Sequence, residues 1–222
     1  MASAAAIFTS RVLVIACVLV CELVGAAVGS DADPLQDYCV TDSSSNVVLN
    51  GFTCKSSASP ADFSSSLFNS PGSTANALGV AVTLAGASNF GGLNTQGLSI
   101  ARIDYAAGGL VPPHVHPRAS EVLLVLQGTI SAAFVDGSNK LYSQTLQPFD
   151  LFVFPRGLIH YSVNLGTGPA LSISGFNSQN PGLSLIANAL FASNDTIPDF
   201  ILEKAFHLNP VEVELIKASF RG

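Results

Sequence analysis

Between Leu78 and Ile173 the chain is cut into short apolar stretches separated by glycine, proline, asparagine and aspartate. They are Val80–Leu84, Leu98–Tyr105, Glu121–Leu126, Thr129–Val135, Leu151–Phe154, Tyr161–Leu165 and Ala170–Ile173. Many short strands with regular turn signals predict an all-β sandwich or barrel. Asp136-Gly137-Ser138-Asn139 reads as a hairpin tip.

The flanks differ from this centre. Arg11 precedes an apolar run from Val12 to Cys21, followed by Glu22 and the small residues Gly25 to Ser30. A positive start, a short apolar stretch and a small-residue exit describe a secretory signal peptide over 1–30. The run is about half the roughly 20 residues of a spanning helix, so no membrane anchor is expected after cleavage. Residues 31–75, rich in Ser, Asp, Asn and Pro, predict an irregular N-terminal arm. The β-rich centre extends over 76–182. Beyond it, Leu183–Phe191, Asp199–His207 and Pro210–Phe220 carry apolar residues at helical spacing. Asp199 is placed to cap the second helix and Pro210 suits the first turn of the third. In the third, Glu212, Glu214 and Lys217 are expected to be the more exposed residues. The segment 183–222 is too small for a core of its own, so it is read as a packing or oligomerisation arm of the same domain.

Of the four cysteines, Cys17 and Cys21 leave with the signal peptide. Cys39 and Cys54 remain as an even pair bound for an oxidising compartment, and a disulfide between them is expected over two free thiols or half a metal site. Asn194-Asp195-Thr196 is a glycosylation sequon suited to a secreted chain. The net charge of −6, with no basic run, gives no electrostatic case for nucleic acid and argues against strong long-range steering of an anionic substrate unless the site has a positive field of its own.

The chemistry concentrates in Gly109-Leu-Val-Pro-Pro-His114-Val-His116-Pro-Arg-Ala-Ser-Glu121. Alternate side chains of a strand face one way, so His114 and His116 point together. Glu121 can return on the next strand toward the same point. His160, after the turn Pro155-Arg156-Gly157-Leu158-Ile159, joins them if the sheet closes on itself. An HxH pair alone is a weak signal, since single histidines are more often surface or core residues. Here three of the four histidines stand beside Pro- and Gly-rich turns at strand starts, while His207 sits in an expected helix and is read as structural.

These stretches carry a resemblance. Gly108-x5-His114-x-His116-x4-Glu121-x6-Gly128 is similar to the first cupin motif at every fixed position, and Pro155-x-Gly157-x2-His160-x3-Asn164 to most of the second. Asp33-Pro-Leu-Gln-Asp-Tyr-Cys39, Gly51-Phe-Thr-Cys54-Lys55 and Phe176-Asn-Ser-Gln-Asn-Pro-Gly182 resemble the plant germins and germin-like proteins specifically. The resemblance implies an all-β jelly-roll (cupin) barrel with a C-terminal helical extension. It implies that His114, His116, Glu121 and His160 hold one ion, leaving two octahedral positions open. Such a nitrogen–oxygen set suits manganese, iron, nickel or zinc; manganese is what the resemblance implies, as is a homo-oligomer, a hexamer built as a trimer of dimers, in the plant apoplast. One departure is Phe149, where the second motif usually has glycine; if that turn needs a positive φ, it is expected to be rebuilt.

The resemblance also bears on activity. Germins proper are oxalate oxidases in which two asparagines position the substrate. The matching positions here are Ala101 and Val111, which donate no hydrogen bond. Oxalate oxidation is therefore expected to be weak or absent, and superoxide dismutation, which asks less of the pocket, is the leading activity. The alternative is a non-catalytic ligand-binding or cell-wall receptor role, with Leu110, Val111, Leu126, Phe152 and Phe154 lining a small-molecule pocket. Hydrolysis of sugar nucleotides, an activity of some relatives, has no phosphate-cradling loop or Lys/Arg cluster to support it.

Overall fold

Ala170–Phe176 alternates strictly between buried and half-buried residues, as a strand with one face in a core must. The same period runs through most of the centre of the chain in a computed structural model that describes residues 38–47, 51–193 and 196–220. The strands are β1 (Val80–Ala85), β2 (Ser99–Tyr105), β3 (Leu110–Val115), β4 (Glu121–Gln127), β5 (Ile130–Val135), β6 (Leu141–Leu146), β7 (Leu151–Phe154), β8 (Ile159–Asn164), β9 (Ala170–Phe176) and β10 (Ser184–Leu185). They form two antiparallel five-stranded sheets, ordered β1-β2-β9-β4-β7 and β10-β3-β8-β5-β6. This is the cupin jelly-roll expected from the sequence. Ile103, Tyr105, Leu123, Val125, Ile130, Ala132, Leu146 and Phe154 fill the space between the sheets.

Sequence patterning missed two strands: β10, which takes the start of the expected helix Leu183–Phe191, and β6. The β6 stretch Leu-Tyr-Ser-Gln-Thr-Leu is exposed at all but its last residue, because it lies at a sheet edge beside β5 alone. With little apolar face to bury, it shows no alternation to read. The hairpin that leads into it turns where expected: the Asp136 amide donates to the Lys140 carbonyl at 3.0 Å, and Asn139 takes φ 64°.

The turn holding Phe149 is not rebuilt. It keeps a left-handed residue at that place, with φ 75° at Phe149 and the Asp150 amide donating to Gln147 O at 3.0 Å. Pro148 and Phe149 thus occupy the central positions of a type II turn, whose second place favours glycine. The phenyl ring is 78% exposed, so it packs little in return. Phe149→Gly is expected to stabilise the protein by about 1 kcal/mol, after the extra freedom of glycine in the unfolded chain is set against the relieved strain. A thermal melt should then shift upward by about 2–4 °C; an unchanged or lower midpoint would show that the turn carries no strain.

Among its described residues the N-terminal arm is irregular apart from a 3-10 turn at Pro60–Phe63 and an antiparallel bridge between Thr41 and Cys54, and it is closed by the Cys39–Cys54 disulfide. It docks by way of Thr41, whose amide donates to Gly91 O and whose hydroxyl donates to Ala87 O, both at 3.1 Å. The described residues all belong to one unit, Asp31–Gly222. The expected signal peptide and the sequon residue Asn194 lie outside the described residues. Among the described residues no helix is long and apolar enough to cross a membrane.

Three helices follow β10: α1 (Ile186–Phe191), α2 (Asp199–Phe206) and α3 (Pro210–Ser219). Two expectations need correction here. Asp199 is the first helical residue and Pro198 the N-cap, so Asp199 does not cap α2. Its carboxylate instead pairs with Lys217, which is 3% exposed rather than solvated and also donates to Ile197 O at 2.9 Å. This buried cation ties α3 to the start of α2. Pro210 occupies the first turn of α3 as expected, behind a reciprocal cap in which Asn209 Oδ1 accepts from the Glu212 amide and Glu212 Oε2 from the Asn209 amide.

Candidate metal centre

β3 and β8 pair antiparallel with His114 directly opposite His160. Adjacent strands of one sheet therefore bring these two together. Closure is needed instead for Glu121, which opens β4 in the facing sheet. His116 follows the last residue of β3. A register shift between Val111 and His114, at Pro112-Pro113, lets residues three apart both face the interior.

All four side chains are buried, between 2% and 7% exposed. Their ligand atoms all lie within 4.8 Å of one another. Glu121 Oε2 stands 3.2 Å from Nε2 of both His116 and His160, and Nε2 of His114 and His116 are 3.2 Å apart. Backbone carbonyls set the ring orientations. His114 Nδ1 faces Pro112 O at 2.8 Å, His160 Nδ1 faces Leu158 O at 2.8 Å, and His116 Nδ1 faces Gly182 O at 2.5 Å. A carbonyl only accepts, so each Nδ1 carries the proton and each Nε2 turns a lone pair inward. Lone pairs facing each other across 3.2 Å repel unless a cation lies between them. The donor set thus fits a divalent ion.

Electrostatics prepare the same state. Burial, reinforced by the neighbouring His160, pushes the His114 imidazole down to about 4, so it stays neutral well below the usual histidine range. Burial alone would raise the Glu121 carboxyl, but its polar neighbours His116, His160 and Ser174 outweigh it and hold the group at about 2. In the metal-free protein both shifts withdraw stability on acidification. His114 does so between its unfolded value and about 4, where only the unfolded chain takes the proton, and Glu121 does so toward about 2.

Aromatic rings hold the imidazoles in place. Phe154 stacks on His160 at 4.5 Å between centroids, and Phe176 meets His116 edge-on at 4.8 Å. The tetrad lies on a cavity of about 500 Å³ whose wall is mainly apolar. Ala101 and Val111 line it, with Phe154, Ile103, Leu183 and Leu185. Leu110, Leu126 and Phe152, expected in that lining, are not there; Leu126 points to the outer face of β4 and Phe152 packs against the core.

Two contributors escaped the sequence reading. The Gly182 carbonyl that orients His116 lies 66 positions away from it, at the end of Phe176–Gly182, which the sequence marks only as a family signature. Gly182 has φ +70°, and a Cβ there would sit 2.8 Å from Arg118 Nη2 and 2.9 Å from Pro117 Cγ, so only glycine fits. The other is Ser174, whose hydroxyl donates to Glu121 Oε1 at 2.6 Å. Its signal, a serine at an inward position of an apolar strand, is shared by Ser172 and so does not single it out.

The Cupin family profile matches residues 66–214. Germin-like protein 1-1 of Oryza sativa subsp. japonica is 46% identical over 206 residues, covering 93% of this chain and 95% of the relative. Nectarin-1 of Nicotiana plumbaginifolia is 47% identical over 191 residues, covering 86% and 83%. Among solved structures, an oxalate oxidase in complex with the substrate analogue glycolate matches with a TM-score of 0.83 at 41% identity, over 86% of this chain and 98% of that one.

Proposed function

The chain belongs to the cupin family and, within it, to the germin-like proteins, and from that premise we propose that it is a secreted manganese protein of the plant apoplast that dismutates superoxide and oxidises oxalate little or not at all. The observation that carries this reading is the wall around the tetrad. His114, His116, Glu121 and His160 supply three nitrogens and one oxygen, while Ala101 and Val111 present only hydrocarbon to the cavity they share.

A dicarboxylate needs donors beside its second carboxyl group, and a desolvated anion without them is costly. Superoxide is small enough to need none. A manganese ion held by the tetrad would supply one-electron cycling between two oxidation states. The protein's part is to hold the four donors, exclude bulk water and offer protons, since two superoxide ions and two protons give dioxygen and hydrogen peroxide. Ser162, the one hydroxyl residue among those lining the cavity, is hydrogen-bonded to Tyr105 at 2.9 Å, and Tyr105 to Ser172 at 3.3 Å. Burial pushes the Tyr105 phenol up to about 12, so this group stays a neutral hydroxyl in the chain. The net charge of −6 works against rapid capture of an anion and sets a modest rate. Peroxide as product is the link to a role in defence or oxidative stress.

Secretion is supported by the apolar N-terminal stretch and by the Cys39–Cys54 disulfide, which suits an oxidising compartment. Assembly as a hexamer of three dimers is supported by the helical arm, where Phe200, Val211 and Leu215 are each about two-thirds exposed; sedimentation of the mature protein reads it directly. The dismutase assignment is tested on manganese-loaded protein before and after chelation. Activity should vanish with the metal and return on reloading; activity that survives its removal refutes the assignment. The second reading, binding without catalysis, is favoured by the size and apolar lining of the same cavity, which suit a small neutral ligand.

A further inference from the structure

Glu121 offers two oxygens, and only one faces the histidines. Oε2 is the atom 3.2 Å from Nε2 of His116 and His160, whereas Oε1 accepts from Ser174 Oγ at 2.6 Å. The register explains how Ser174 reaches it. Glu121 is paired with Phe176, and Ser174 lies two residues further along β9 on the same inward face. The serine has no exposed surface and sits on the middle strand of its sheet, between Ala101 of β2 and Leu123 of β4. Backbone acceptors there are engaged in the ladders on both sides, so the carboxylate is the acceptor its proton has.

We propose that Ser174 is a positioning residue that makes Glu121 a one-oxygen ligand. By holding Oε1 away from the common centre it prevents the carboxylate from chelating, and so keeps open a coordination position that a two-oxygen grip would fill. The proposal rests on the reading of the tetrad as a metal site. It concerns what the tetrad leaves free, which is the property a dismutase or any substrate-binding centre depends on.

The test uses manganese(II) as the probe on the full mature protein, with metal content per chain, water-proton relaxation per bound manganese and the electron paramagnetic resonance spectrum as readouts. Ser174→Ala should still bind the ion. Its carboxylate should rotate to give both oxygens, taking one of two open octahedral positions, so relaxation per manganese should fall to about half. The zero-field splitting should change with it. Ser174→Cys keeps the volume with a weaker donor, so it should move both readouts the same way by a smaller amount, and it serves if the alanine variant does not fold. Relaxation and spectrum unchanged in a folded variant with full metal content overturn the proposal. A wild-type protein that takes up no manganese overturns the metal reading itself, which metal content alone reveals.

Discussion

Replacing His160 by alanine will lower the affinity for manganese(II) by more than about 100-fold. Loss of a group that merely orients a ligand costs about 10–100-fold in comparable sites, and loss of the ligand itself must exceed that. His160 is the most buried of the four and the best fixed. Its Nδ1 is held by Leu158 O, its ring lies on Phe154, and its Nε2 stands 3.2 Å from Glu121 Oε2. No other imidazole can replace it, because His114 and His116 are each committed to their own carbonyl, and His207 ends α2 outside the set. Titration calorimetry on folded variant protein is the measurement, and an affinity within tenfold of wild type would sink the four-ligand site. Protons compete for the same lone pairs, but with His114 held at about 4 its ring stays available through the mildly acidic range.

Converting both Ala101 and Val111 to asparagine will raise oxalate oxidation by about a hundredfold to ten-thousandfold. Each hydrogen bond to a charged group contributes roughly 1.5–3 kcal/mol, and the pair restores two. Both positions border the cavity that holds the tetrad, so the new amides have an anion to meet and room to reach it. Neither residue is a proposed ligand, and metal content should not change. Each single variant should give part of the effect. Peroxide formation with oxalate on metal-loaded protein measures it; robust turnover by the wild type, or no rise in the double variant, would falsify the proposal that Ala101 and Val111 limit oxalate oxidation.

How much was legible beforehand differs from residue to residue. The β-rich centre was readable because half-buried strands impose a period of two, and β9 shows it without a break. β6 was not, because an edge strand with one neighbour and no buried face leaves no such mark. Phe149 stands out in the sequence as a misfit, and only the fold shows that the turn keeps its left-handed residue there, with the ring left largely in solvent. Lys217 was misread for a different reason. Charge predicts exposure, and only the folded arm shows Asp199 and the Ile197 carbonyl waiting for the ammonium.

The sequence by itself singles out His114, His116, Glu121 and His160: alternation along one strand turns the first two the same way, and the resemblance to the two cupin motifs implies the set of four. Only the tertiary structure decided that His160 arrives by pairing with His114 in one sheet while Glu121 arrives from the other. It alone decided which nitrogen of each ring turns inward, since that is settled by carbonyls two to 66 positions away. It alone brought Ser174 to the back of Glu121. A side chain's type is local to the chain, but the direction of its lone pairs depends on what the fold places behind it.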